Sequence, residues 1–237
     1  RDDQDEFAYR SHQLAAKAHA EGLLKEEIIP VNGNTYDNGI SDASLEKMKS
    51  LKPAFVKPHG THTAANSSYL SDGASATLIM SEERALALGY TPKAVLKDWI
   101  FVSQDPKDEL LLGPAYAIGR LLERNKMGLN DVTTFELHEA FAGQVLSNLN
   151  ALKSEEFCTG KAGLKKVVGE VPMERLNTRG GSLSIGHPFG ATGGRLLTTT
   201  ANRLRDEDGQ FGLLAACAAG GQGHAMLVER YVPQKKE

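Results

Sequence analysis

The sequence predicts an α/β fold, with helices layered on a mostly parallel sheet. Two observations carry this. From residue 92 the chain alternates strand, helix, strand, helix, strand or loop, helix, strand, strand, the order expected of helices covering a sheet. Two glycine-rich stretches, GGSLSIGHPFGATGGR from Gly180 and CAAGGQGHA from Cys217, fall where one element hands over to the next, as ligand loops do in such sheets. Composition is that of a globular domain: 237 residues, 41% hydrophobic and 24% charged, enough for a sizeable core.

The elements follow in order. DQDEFAYRSHQLAAKAHAEGLL has Phe7, Leu14 and Ala18 at helical steps, acids first and Gly22 near its end, which predicts an amphipathic helix. The Gly-, Pro-, Asn- and Asp-rich stretch after it predicts loops around one short helix, Ser44 to Leu51. A polar turn then leads into an apolar strand, Ala74 to Met80, and a helix. PKAVLKDWIFVSQ predicts a strand. LGPAYAIGRLLERNKMGLN predicts a helix with Pro114 in its first turn and Gly128 at its end. Val132 to Leu137 is a strand running straight into a helix, and residues 153–176, charged and irregular, are expected to be a surface insertion. After the Gly180 loop come a helix from Ala191 to Arg205, the buried strand FGLLAAC, a CAAGGQG turn and the returning strand HAMLVERY.

Several function classes drop out. A net charge of −3 gives no electrostatic reason to expect nucleic acid. No run approaches the roughly 18 to 20 apolar residues of a membrane-spanning helix. The seven histidines do not fall at metal-ligand spacings, so no metal is expected. Two cysteines, Cys158 and Cys217, make no disulfide framework and fit a reducing compartment. The chain opens on RDDQDEF, with neither Met nor a signal pattern, and is expected to be a fragment or a chain that has lost an upstream segment.

Three polar clusters sit at strand ends: HEAF from His138, GHPFG around His187, and CAAGGQG from Cys217. Glycines let the backbone approach a ligand, and helix starts point free N–H groups at it. Each cluster has a bland reading: His187 as a turn residue before Pro188, Cys217 as packing, His138 as a cap. GATGGR is a poor match to a dinucleotide fingerprint, and no phosphate loop of the GxxxxGK type is present. A histidine and a cysteine in separate glycine-rich loops nevertheless point to catalysis. A cysteine whose pKa is lowered by histidine and helix N-termini serves as an acid or base near neutral pH.

GGSLSIGHPFGATGGR and CAAGGQGHAMLVE resemble the two C-terminal signatures of the thiolase family. RDDQDEFAYRSHQLAAKAHAEGLLKEEIIPV and GTHTAANSSYLSDGASA resemble its upstream segments, so the likeness covers nearly the whole chain. It implies a thiolase-like fold, a mixed five-stranded sheet covered by helices. Residues 1–60 would end the loop domain, 61–91 would be the last strand and helix of the N-terminal half, and 92–237 the C-terminal domain. It implies thiolytic cleavage of 3-ketoacyl-CoA by CoA, giving acetyl-CoA and a shortened acyl-CoA, with CoA as substrate and no separate cofactor. By motif match, His187 activates the nucleophile and helps hold the enolate's thioester oxygen, and Cys217 is the acid/base. His138, where most members have Asn, completes that oxyanion site. The backbone N–H of Ala219 serves the second oxyanion hole. Ser68, Ala140 and Phe141 line the pantetheine tunnel. HEAF together with SLSIGHPFGATG and CAAGGQGHAM resembles most the long-chain β-oxidation members, which implies a mitochondrial homodimer that binds an α subunit carrying hydratase and dehydrogenase activities, with peripheral association to the inner membrane.

The family's nucleophilic cysteine lies in the N-terminal half and has no counterpart here. Cys158, in EEFCTGKAG, lacks the small-residue helix start that role needs. The chain alone is therefore expected to be inactive. His62, in a THT where the family commonly has Val, is given no role. Two alternatives stay open: a non-catalytic assembly fragment, and a ketosynthase-like condensing enzyme, against which Cys217 counts.

Overall fold

A computed structural model describes residues 1–233. Helix α1 (Asp2–Ala20) opens on Asp2, Asp3 and Asp5 and closes with Lys17 and His19, each charge sign at the end the helix dipole favours. Two short helices follow, α2 (Leu45–Lys49) and α3 (Glu82–Ala87), with Ser44 and Ser81 as their N-caps. The layered part runs β1 (Ala94–Ser103), α4 (Pro106–Glu109), α5 (Gly113–Arg124), β2 (Thr134–Leu137), α6 (Ala142–Lys153), α7 (Ser182–Ile185), α8 (Phe189–Asp206), β3 (Phe211–Ala218) and β4 (Gln222–Arg230). Helix α5 ends at Arg124, four residues short of Gly128, because Lys126 takes a left-handed φ of 55° and turns the chain.

The sheet order is β1-β4-β3-β2. Strands β2 and β3 pair in parallel, β3 and β4 antiparallel, and β1 and β4 antiparallel. Three strands thus share one direction and β4 runs against them. The 219–221 turn is too short for a crossover, so β4 can only return antiparallel. Alternation splits the core across the sheet. Leu213, Ala215, Ala225 and Leu227 face α5 and α6, with Phe135, Ile118 and Leu121 in the same cluster. Leu214 and Val228 face Leu196, Leu197 and Leu204 of α8.

Three expectations need correction. Among the described residues the sheet has four strands, not five. Beside β2 the next position holds a single parallel bridge, Phe135 to Leu176. Asn177 then adopts φ 46° and turns its amide back onto the backbone of Leu137, which ends the ladder. Residues 153–176 are not a surface insertion. A π-helical turn, Glu156–Lys161, follows α6 and delivers Phe157, Cys158, Leu164, Val171 and Leu176 into the core, with Phe157 edge-on to Tyr116 at 4.7 Å. The run Ala74 to Met80 forms no strand and makes no ladder among the described residues. Among those residues no helix is long and apolar enough to cross a membrane.

Candidate functional site

The parallel pairing of β2 with β3 fixes the first histidine. His138 follows β2, and its N–H donates to the Ala215 carbonyl at 2.8 Å, one step past the ladder. Cys217 lies two residues farther along β3, so both groups leave the sheet at the same edge. His138 is 2% exposed, and its Nδ1 lies 2.8 Å from Ser182 Oγ. Burial, then the neighbouring His187 and Arg195, push its pKa down to about 3, so the ring is neutral at physiological pH.

The glycine-rich loop supplies the second histidine. Gly186 takes φ 95°, the left-handed region that favours glycine. A β-carbon there would also press on Ser71 Oγ at 2.7 Å, the oxygen that accepts the His187 N–H at 2.8 Å. The His187 ring lies against His138 with centroids 4.0 Å apart and planes tilted by 39°, and Phe189 lies 5.1 Å from it. Burial and Arg195 hold its pKa below the usual value. Thr192 Oγ1 lies 2.6 Å from His187 Nδ1 and 3.3 Å from the Pro188 carbonyl oxygen. That carbonyl also accepts the Ala191 and Thr192 N–H groups at 2.8 and 3.1 Å, and the Thr192 hydroxyl anchors Nδ1 of the ring.

The pantetheine candidates also converge. Ser68 N–H donates to the Ala140 carbonyl at 2.9 Å, Ser67 bridges Phe141, and Ala142 N–H donates to Asn66. His62, given no role from sequence, packs on the Phe141 ring at 5.0 Å. Beneath HEAF, Glu139 is fully buried and accepts from Ser11 Oγ, Asn177 Nδ2 and Leu183 N. A β-carbon on Gly181 would overlap that carboxylate.

Cys217 differs from expectation. Its thiol makes no hydrogen bond to either histidine among the described residues, and burial pushes its pKa up to about 11, not down. It pairs across the hairpin with Gly223, and a β-carbon on Gly223 would strike the backbone of Gly113 at the start of α5. Ala219 is exposed at the tip, before Gly220 (φ 90°) and Gly221 (φ 78°), and its N–H donates to nothing among the described residues. Cys158 is fully buried, with its Sγ donating to the Ala151 and Leu152 carbonyls.

A cleft of about 1150 Å³ opens beside His187, lined also by Tyr36, Asp37, Tyr69, Ser71 and Phe189. Among the described residues no group of His, Cys, Asp or Glu side chains is arranged to hold a metal. Sequence reasoning missed Ser182, Thr192 and Arg195. Thr192 had a signal, standing five residues after His187 in the first turn of the following helix. Ser182 and Arg195 meet His138 only through tertiary packing.

The family model described as Thiolase, C-terminal domain matches residues 90–230, and that described as Thiolase, N-terminal domain matches residues 1–83. Trifunctional enzyme subunit beta, mitochondrial, of Bos taurus is 60% identical over 236 residues, covering 98% of this chain and 50% of that protein. A 3-ketoacyl-CoA thiolase of Serratia proteamaculans (strain 568) is 47% identical over 236 residues, 97% of this chain and 54% of that protein. The crystal structure of human mitochondrial 3-ketoacyl-CoA thiolase superposes with a TM-score of 0.83 at 27% identity, covering 98% of this chain and 56% of that one. The chain spans about half the length of the curated relatives it matches. Its motifs, its fold and both domain matches make it a member of the thiolase family.

Proposed function

We propose that these residues form the C-terminal part of an acetyl-CoA C-acyltransferase, a 3-ketoacyl-CoA thiolase of fatty-acid β-oxidation. The observation that carries the reading is the close, neutral pair His138 and His187 at the sheet edge that also bears Cys217. With Nδ1 held by Thr192, Nε2 of His187 accepts the proton of a nucleophilic cysteine. That cysteine comes from outside these residues, since Cys158 is packed into the core. The nucleophile attacks the 3-keto carbonyl, the C–C bond breaks, and the thioester oxygen of the departing enolate rests against His138 and His187. Burial keeps the Cys217 thiol protonated, which suits it to protonate the enolate. It then takes the proton of CoA as CoA attacks the acyl-enzyme. The free N–H of Ala219 faces the second oxyanion, and Ser68, Ala140 and Phe141 flank the pantetheine arm. CoA is a substrate and no further cofactor is required.

The name of the bovine relative supports a place as the β subunit of a mitochondrial assembly. We extend to this chain the corresponding partners and location: a homodimer, an α subunit with hydratase and dehydrogenase activities, mitochondria, and peripheral contact with the inner membrane. Residues 1–60, 61–91 and 92–237 are assigned as the end of the loop domain, the end of the N-terminal half and the C-terminal domain. The 237 residues alone are inactive on this reading. The test is thiolysis of a long-chain 3-ketoacyl-CoA by the whole protein. His187→Ala and Cys217→Ser should each lower kcat by about 100-fold or more, with the fold unchanged by circular dichroism. Near-normal turnover in both variants would reject the assignment.

A further inference from the structure

Ser182 takes no part in the reaction as proposed, yet it is fully buried against His138. Its Oγ has two neighbours among the described residues. Arg195 Nη2 donates to it at 3.3 Å, and His138 Nδ1 lies 2.8 Å away. A guanidinium can only donate, so Arg195 occupies an oxygen lone pair. The single hydroxyl proton then has one available acceptor, His138 Nδ1. The opposite arrangement, with Nδ1–H donating to Ser182, would leave that proton without an acceptor in a closed interior, at appreciable cost. Arg195 is itself held by the buried carboxylate of Glu136 at 3.6 Å, so the order Glu136, Arg195, Ser182, His138 has a direction.

We propose that Ser182 is a positioning residue that fixes His138 as the Nε2–H tautomer, so that this ring donates a hydrogen bond at the site beside the base, His187. The two rings lie 4.0 Å apart, each with a hydroxyl at its Nδ1, Ser182 for His138 and Thr192 for His187. A tautomer matters only in a neutral ring, and burial with Arg195 nearby keeps both rings neutral. The inference rests on the proposed function for its purpose: a base must present a lone pair, and an oxyanion needs a fixed donor. It also makes His138 a direct donor to the enolate oxygen.

The test uses the whole protein labelled with 15N-histidine and read by long-range proton–nitrogen correlation, with His138 identified by the signal lost in His138→Asn. His138 should carry its proton on Nε2 and leave Nδ1 bare. In Ser182→Ala that preference should be lost, with kcat for thiolysis falling about tenfold and KM for the 3-ketoacyl-CoA changing less than about twofold. A wild-type spectrum with His138 protonated on Nδ1 overturns the proposal whether or not the variant folds. So does a Ser182→Ala spectrum with the tautomer unchanged. If the whole protein shows no thiolysis, the proposed function fails while the spectrum still decides the role of Ser182.

Discussion

Residues 211–218 and residues 74–80 are apolar runs of similar length, one at the centre of the sheet and the other bare against solvent. In β3, Leu213 and Ala215 are fully buried and Leu214 is 3% exposed, between β2 on one side and β4 on the other. In the earlier run, Leu78 is 69% and Ile79 is 63% exposed, and no strand pairs with it among the described residues. Apolar side chains make a strand worth burying. A hydrogen-bonding neighbour makes it a strand, because extended backbone must satisfy its N–H and C=O groups somewhere.

That difference can be pressed from both sides. The largest effect should come from Arg203→Ala. Arg203 is fully buried under the sheet, paired with Glu136 at 2.7 Å and donating to the Phe135 and Arg175 carbonyls. Its loss should leave a buried carboxylate short of its partner and cost about 3–5 kcal/mol in denaturant unfolding. Leu213→Ala should cost about 3 kcal/mol, the usual penalty for a cavity in a closed core.

The next effect depends on pH. The folded pKa of His138, about 3, lies below its ordinary 6.5, so below pH 6.5 the unfolded chain binds a proton that the folded one refuses. His138 therefore lowers stability as pH falls from 6.5 towards 3, by about 1.4 kcal/mol per unit once well below 6.5. Unfolding curves for His138→Asn and the wild type should diverge on that limb and run parallel above pH 7.

The smallest effect should be Ile79→Ser. It should fall within about 0.5 kcal/mol in the 237-residue chain. In the whole protein it should approach 2 kcal/mol if a strand of the other thiolase half covers the run.

The same contrast explains what could be read from residues alone. Helices α1, α5 and α8 announce themselves through spacing and termini, since a helix satisfies its own backbone. So do β3 and β4, joined by a glycine turn that brings each strand its partner. The run 74–80 needs a neighbour from elsewhere in sequence, and no local pattern reports whether one is present. The fate of residues 153–176 was hidden for the opposite reason, because their charges mask the few apolar side chains that reach the core. At the site, His187 and Cys217 were visible because glycine loops are costly for a chain to keep without a ligand or a tight turn. The downward expectation for the Cys217 pKa failed because adjacency in motif is not contact in space. In the structure burial dominates at that thiol.

The contact between Gly113 and Gly223 has a consequence for inheritance. Every single-base change of a glycine codon that yields another amino acid adds at least a β-carbon, and at either position that carbon meets the other's backbone. The first turn of α5 would be driven off the hairpin, and Cys217, the cross-strand partner of Gly223, would move with it. On the proposed function, a displacement of about an ångström would misplace its proton-donating thiol. Alleles at these two codons should therefore act as losses of function in which every titratable group of the site is still encoded, and a search confined to histidines and cysteines would pass them over.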